Sequence, residues 1–408
     1  MILEKAYRPI DNAPLILFRI ALGALIMAES FVAIFTGWVK KNLIDPTVHL
    51  PHIGFDFLIP LPGLGMYAYY CIMGIFGLGI LLGYKYRLSL ACFSLMWTGV
   101  YLMQKASYNN HYYLLLLVCL IMLFLPANRY ASLDAKSNPK IKSLSMPQWV
   151  AWVMIAQMTI VYFFATISKF YPDWLNGTFP GILFSNISHF PIIGNIFTEK
   201  WFHLFIAYAG IFFDGLIIPA LLWEKTRNIA FLASLIFHLF NSMTLQIGIF
   251  PYFALSFVVF FYPPETIRAI FFKRKPTLIQ ENLTNYSHSK ALTFFFIPFF
   301  IIQLILPVRH WFIKGDVLWT EEGHRLSWRM MLRDKSGITT FKIIDKKTNE
   351  ELEYNLAEHL TKKQLVFVSS KPDGMWQMAQ HIKKEFAKQG KEVKIYIHSQ
   401  LSVNRKAN

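Results

Sequence analysis

Charge is scarce in this chain. Only 16% of its 408 residues are Asp, Glu, Lys or Arg, and just 24 are acidic. A soluble protein of this size carries more charge and fewer long apolar runs. Cysteine is scarcer still. Cys71, Cys92 and Cys119 all sit inside apolar stretches, so neither a disulfide framework nor metal-ligand spacing is present. No G-x-x-x-x-G-K-S/T, H-E-x-x-H, G-x-S-x-G or C-x-x-C string occurs, which argues against P-loop ATPases, zincins, α/β-hydrolases and thioredoxin-like redox proteins. Internal repeats are not evident, nor are the paired Gly/Pro-broken helices of many transporters. The start shows no charged n-region with a short apolar core and A-x-A site, so the first span is expected to act as its own uncleaved insertion signal.

What the chain has instead is apolar surface: 55% hydrophobic residues, 38 Phe, 11 Trp and a positive mean hydropathy. Nine segments approach or exceed the length that spans about 30 Å of hydrocarbon. They are 15–36, 64–83, 88–104, 112–126, 147–168, 202–223, 228–243, 246–262 and 291–307. The expected class is a polytopic α-helical membrane protein of about eight to nine transmembrane helices, with room for a tilted or re-entrant segment among the shorter ones.

The net charge of +16 raises the question of nucleic acid, and its distribution answers it. With the N-terminus inside and loops alternating, fifteen basic residues lie on the inner side: Lys5, Arg8, Lys85, Arg87, Arg129, Lys136, Lys140, Lys142, Lys225, Arg227, Arg268, Lys273, Arg274, Lys275 and Lys290. The short outer loops hold five: Lys40, Lys41, Lys105, Lys169 and Lys200. The charge is topological, and no nucleic-acid partner is expected.

Residues 1–307 thus read as a helical membrane domain and 308–408 as a small non-cytoplasmic α+β domain. In the latter, ITTFKII (338–344) and ELEYNL (351–356), joined by DKKTNE, alternate as a hairpin. Residues 373–390 read as an amphipathic helix with Asp373 near its N-cap and Gly390 as terminator, and 391–403 as a final strand. The polar linker 263–290 places Lys273, Arg274 and Lys275 where anionic headgroups would meet them.

Lys169 ends the apolar run that starts at Pro147. Thr166, Tyr162 and Thr159 precede it at spacings of three, four and three, on one helical face. An amine at such a place either snorkels to the headgroups or faces a cavity or partner as a functional group. Three further polar strings fall on the same outer side. In YNNHYYL, Asn109, Asn110 and His111 offer donors, acceptors and a titratable ring, or else an Asn caps the next helix. In FHLFNS, His238, Asn241 and Ser242 share a face, and His238 needs a partner inside an apolar segment, whether structural or catalytic. In SWRMMLRDK, Trp328, Met330 and Met331 suit a wall against a flat apolar ligand, with Arg329, Arg333 and Lys335 as flanking cations; a membrane-interface belt has the same composition. Arg19, Glu29 and Asp214 have no helical partner at close spacing and read as structural, in interhelical ion pairs or bonds to backbone.

In order, FRIALG, GILLGYKYRLS, KASYNNHYYL, VYFFATISKFYPDW, FHLFNS with GIFPY, SWRMM and LSVN resemble the vitamin K-dependent γ-glutamyl carboxylase family, also described by its horizontally transferred transmembrane (HTTM) domain. The resemblance runs from about residue 15 to the end. It implies that Lys169 is the catalytic base and that His111 supports the reaction. The reduced quinone, vitamin K hydroquinone or menaquinol, is deprotonated and reacts with O2. The strong base so formed takes a γ-proton from a protein glutamate, and the carbanion captures CO2.

The residues are compatible with those roles. Desolvation lowers a lysine's pKa and so makes a neutral amine available. A dry pocket also protects basic species from stray protons. Asn109, Asn110 and His111 can bond developing oxyanions, His238 and Asn241 can line the quinone or substrate site, and Trp328, Met330 and Met331 can form its wall. Arg333, Lys335 and Arg405 are candidates for gripping the substrate carboxylate. Animal members carry a lysine pair where Ser168 precedes Lys169 here, and they are longer, with propeptide-binding lumenal regions that this chain is expected to lack, so the resemblance leaves propeptide recognition open.

The expected activity is quinol-dependent γ-carboxylation of glutamate in a secreted or membrane protein, coupled to quinone epoxidation, with no metal. The expected setting is a lipid bilayer, a bacterial inner membrane before endoplasmic reticulum. A quinol oxidoreductase or epoxidase without carboxylation, and a non-catalytic assembly or transport component, are the alternatives.

Overall fold

The computed structural model describes residues 2–185, 194–245, 248–278 and 289–407. Its helices follow the apolar runs. They are α1 (Ala13–Phe35), α2 (Gly65–Leu82), α3 (Tyr86–Met103), α4 (Asn110–Phe124), α5 (Trp149–Ser168), α6 (Lys200–Leu222), α7 (Arg227–Leu245), α8 (Phe250–Ser256, continued as a 3₁₀ turn to Phe260), α9 (Pro264–Phe271) and α10 (Ile297–Val308). Pro14 opens α1 in the first turn, where its missing N–H costs nothing. α1 and α2 pack backbone to backbone: a Cβ on Gly23 would stand 2.3 Å from the Leu81 nitrogen, and one on Gly77 2.7 Å from that of Met27. Close approach at small residues drives helix association where lipid is as apolar as leucine.

The chain is a polytopic α-helical membrane protein. All nine expected segments contain helix among the described residues, but six helical stretches are long and apolar enough to cross a membrane (α1, α2, α5, α6, α7 and the continuous Leu292–Phe312 that includes α10), or seven if the α8–α9 pair, bent by 117°, counts as one span. That is fewer than the eight to nine expected. α4 has 15 residues, about 22 Å at helical rise, short of the hydrocarbon thickness. α3 is 18 residues long, but Ser89, Ser94 and Thr98 dilute its hydropathy. Residues 246–247, at the start of the eighth expected segment, lie outside the described residues.

At one end of the bundle β1 (Pro9–Asp11) pairs with β2 (Ser145–Pro147). There Asp11 takes the ammonium of Lys275 at 2.6 Å, with Arg268 at 3.6 Å. Lys275 is buried, which corrects the expectation that the whole Lys273–Lys275 cluster meets headgroups; Lys273 and Arg274 remain exposed. Part of the linker, 279–288, lies outside the described residues. Arg19 binds backbone, its Nη2 donating to the Ala131 carbonyl at 2.6 Å.

At the opposite end lies the C-terminal α+β unit. β3 (Lys335–Asp345) pairs antiparallel with β4 (Glu351–Leu352) and along its whole length with β5 (Val393–Val403), and β6 (Lys406–Ala407) adds the edge. The hairpin pairs Ile343 with Leu352 and Ile344 with Glu351, which leaves 345–350 as the turn, as expected. The second strand ends at Leu352, however, and the expected strand 351–356 runs into a short helix at Leu356–His359. The expected helix is α12 (Pro372–Lys388), with Asp373 in its first turn and Gly390 beyond its end. Sequence periodicity missed the helix before it, α11 (Lys362–Ser370), which opens with a Thr361–Gln364 capping box. The core of this unit, built on Ile343, Val368, Met378 and Ile382, also takes in Val48 and Leu50 from the loop after α1. Gln364 and Gln377 side-chain amides donate to the Val48 and Pro51 carbonyls at 2.6 and 2.8 Å. The cap is therefore fastened to the same bundle end that carries the α3–α4 connection and the end of α5.

Candidate active site

The polar stripe expected on α5 narrows to two residues. Thr166 and Thr159 donate to carbonyls of their own helix at 2.8 Å, and Thr159 is exposed. Tyr162 and Lys169 face inward.

Lys169 does not snorkel. It closes α5 at 9% exposure, its ammonium in an ion pair with Asp214 of α6, donating also to the Ala165 carbonyl at 3.3 Å. The ring of Trp174 covers it at 5.4 Å. The end of α5 is not the edge of the fold, because the chain continues as short helices, Pro172–Leu175 and Thr178–Ser185, packed over α6. Asp214 is thus the interhelical partner of the candidate base, a pairing that sequence spacing did not identify.

Two turns back on α5, the Tyr162 hydroxyl meets His238 Nε2 of α7 at 3.1 Å. His238 is 1% exposed, and its Nδ1 has no hydrogen-bond partner among the described residues. Phe213, Phe237 and Phe250 stand edge-on to its ring at 5.4–6.1 Å. His111, near the start of α4, stacks on the other side of this group against Phe250, with ring centroids 3.8 Å apart. Two histidines from distant strings thus share one phenylalanine, and Tyr162 joins them to the helix that ends in Lys169. Asn241 lies one turn further along α7, half-buried.

The other expected residues are mostly framework. Asn109 is the N-cap of α4, its Oδ1 accepting from the Tyr112 N–H at 2.8 Å. Asn110 accepts from the Tyr108 hydroxyl at 3.0 Å and donates to the Arg329 carbonyl at 3.3 Å. Glu29 accepts from the Tyr112 hydroxyl at 2.8 Å. Trp328 is wholly buried and stacked on Tyr113 at 5.1 Å, a core residue rather than a pocket wall. Met330 packs beside that core and Met331 is exposed, both in an irregular segment where Leu326, Trp328 and Met331 hold positive φ.

Arg333 and Lys335 are committed to Glu321. Arg333 pairs with that carboxylate, Lys335 stands 3.8 Å from it, and Lys371 lies at 2.8 Å. Burial raises the pKa of Glu321, but Arg333 and Lys371 outweigh it and hold the carboxyl below its usual range. Arg405 lines a separate cavity of about 380 Å³ with His203, Lys200 and Gly177. The cations expected to grip one carboxylate are therefore not gathered at one place.

Two sequence models match. The HTTM domain covers residues 7–265. The vitamin K-dependent gamma-carboxylase, lumenal domain, covers 288–408. No solved structure matches the chain. The fold and its polar bundle end define a multi-helix membrane protein with an extramembrane cap. With the two models in this order, the chain belongs to the HTTM-containing vitamin K-dependent gamma-carboxylase family.

Proposed function

We propose that the protein carries out vitamin K hydroquinone- and O2-dependent γ-carboxylation of glutamate in a secreted or membrane protein, with Lys169 as the base and His111 in support. The single observation that carries this reading is a lysine buried at a capped helix end and hydrogen-bonded to a carboxylate.

An amine can accept a proton only when neutral. Asp214, hydrogen-bonded to Lys169 and buried with it, is the group that would orient the amine and exchange its proton. The residues around His238 fit a quinol. They supply aromatic faces and an unpartnered buried nitrogen that a phenolic oxygen would satisfy. When bound, the quinol together with O2 supplies the basicity that takes a proton from the glutamate γ-carbon, which then adds CO2. The protein's part is to hold Lys169 and Asp214 dry, to orient His238 through Tyr162, and to pack His111 on Phe250.

In this reading residues 1–307 form the membrane domain, 308–408 the non-cytoplasmic cap, and the setting is a bacterial inner membrane. The test is incorporation of labelled CO2 into a glutamate peptide by the purified protein given reduced vitamin K. Labelled peptide supports the proposal. Epoxide without labelled peptide would replace it with a quinol oxidoreductase, and neither product, with phylloquinone or menaquinone, would leave a non-catalytic component.

A further inference from the structure

Where the cap meets the bundle, cations outnumber acids. Glu321 serves Arg333, Lys335 and Lys371, and Asp373 serves Lys105 and Arg325, each at 2.7 Å. Arg309 is satisfied by carbonyls, donating to Leu306 at 2.7 Å and to Arg325. Arg329 is different. Among the described residues its Nη1 meets only His310 Nε2, at 3.3 Å, and its buried Nε has no partner. His310 Nδ1 lies 2.8 Å from the Pro307 carbonyl, a group that can only accept, so that nitrogen carries the proton and Nε2 accepts from Arg329. The imidazole is thereby neutral and offers the guanidinium no counter-charge. No carboxylate pairs with Arg329 among the described residues.

Arg329 and His310 line a cavity of about 260 Å³, with Ser168, Phe170, Tyr171 and Trp311 among the other walls. Ser168 and Phe170 flank Lys169 in the chain, so the cavity opens beside the turn that holds the candidate base. Arg329 is half-buried, its nearest acids Asp316 and Glu321 form no ion pair with it, and its planar fork beside a space of this size suits a carboxylate.

We propose that this cavity is a carboxylate subsite that takes a glutamate side chain of an acidic peptide, with Arg329 as the residue that binds it. This rests on the carboxylation reading, and it moves the carboxylate contact from Arg333, Lys335 and Arg405 to Arg329. The apolar walls receive the methylenes of the glutamate, and the surplus of cations around the cap draws acidic segments to it.

The test is equilibrium binding of a fluorescent peptide holding two adjacent glutamates, and of its glutamine twin, to the full chain in zwitterionic nanodiscs. Wild type should prefer the glutamate peptide. Arg329→Gln should erase that preference, weakening glutamate binding about tenfold to a hundredfold, the worth of a charged bidentate contact. Arg329→Lys, which keeps the charge without the fork, should recover part of it and guards against a folding defect. Lys342→Gln on the exposed cap sheet should leave binding unchanged. Equal binding of the two peptides to wild type, or an unchanged preference in Arg329→Gln, overturns the subsite. So does loss of binding when phosphatidylglycerol is added with Arg329 intact and Arg329-dependent lipid retention, which would make the cavity a lipid site. Carboxylation by Arg329→Gln with an unaltered peptide KM would sink the subsite and spare the reaction. Arg329-dependent peptide binding without any CO2 incorporation would do the reverse.

Discussion

The carboxylate of Asp214, fourteen residues into α6 from Lys200, holds the ammonium of Lys169 at the end of α5, and both side chains are buried. Each is then the other's compensation. Removing one partner strands a charge at a cost of about 3–5 kcal/mol, whereas removing both leaves no charge to strand. Lys169→Met and Asp214→Asn should each lower the unfolding midpoint in detergent, and the double variant should lie well above the sum of the two losses. Additive losses would mean that the two groups are not coupled.

Tyr162 and His238 should behave as one unit. Without the tyrosine hydroxyl, both ring nitrogens of His238 lack a partner and the ring loses its fixed orientation. Tyr162→Phe should cut turnover about tenfold or more while leaving the peptide KM unchanged, and adding His238→Phe should cost little beyond that. Independent, multiplying losses would separate the two residues.

The cap junction should be acid-labile. Burial raises the pKa of Asp373, but its bonds and charge contacts with Arg325 and Lys105 outweigh that and hold it at about 2, below the usual 3.8. A carboxylate depressed in the folded state stabilises above its unfolded value, and that contribution is lost as pH falls from the unfolded toward the folded pKa. The loss should amount to the order of 2 kcal/mol between about pH 4 and pH 2. Asp373→Asn should flatten this stretch of the stability profile measured by proteolysis of the cap; an unchanged profile would assign the acid sensitivity elsewhere.

Much of this molecule can be read from its chain. The apolar runs place the helices, and the alternation in 338–344 gives the long strand of the hairpin that pairs Ile343 with Leu352. The rest of the second expected strand leads instead into the helix Leu356–His359. Lys169 and His238 stand out because an ionisable group in an apolar run demands a partner. Their partners are less legible. Asp214 sits about 20 Å along α6, so depth counted from the helix ends does not bring it beside a residue that closes α5. That meeting depends on the short helices after Lys169, which carry the fold beyond the end of α5. Asn109 could cap or bind in the sequence, and only the Tyr112 N–H decides for the cap. Trp328 turns inward because the segment around it takes positive φ, a path no residue pattern there announces.

The central claim is that Lys169 is the proton acceptor, and Lys169→Ala tests it most directly. Purified wild type and variant, given reduced vitamin K, O2, labelled CO2 and a glutamate peptide, are compared for epoxide and labelled peptide, with quinol binding measured separately. The variant should form neither product while still binding quinol. Full turnover in Lys169→Ala would contradict the assignment and leave the Lys169–Asp214 pair a purely structural one.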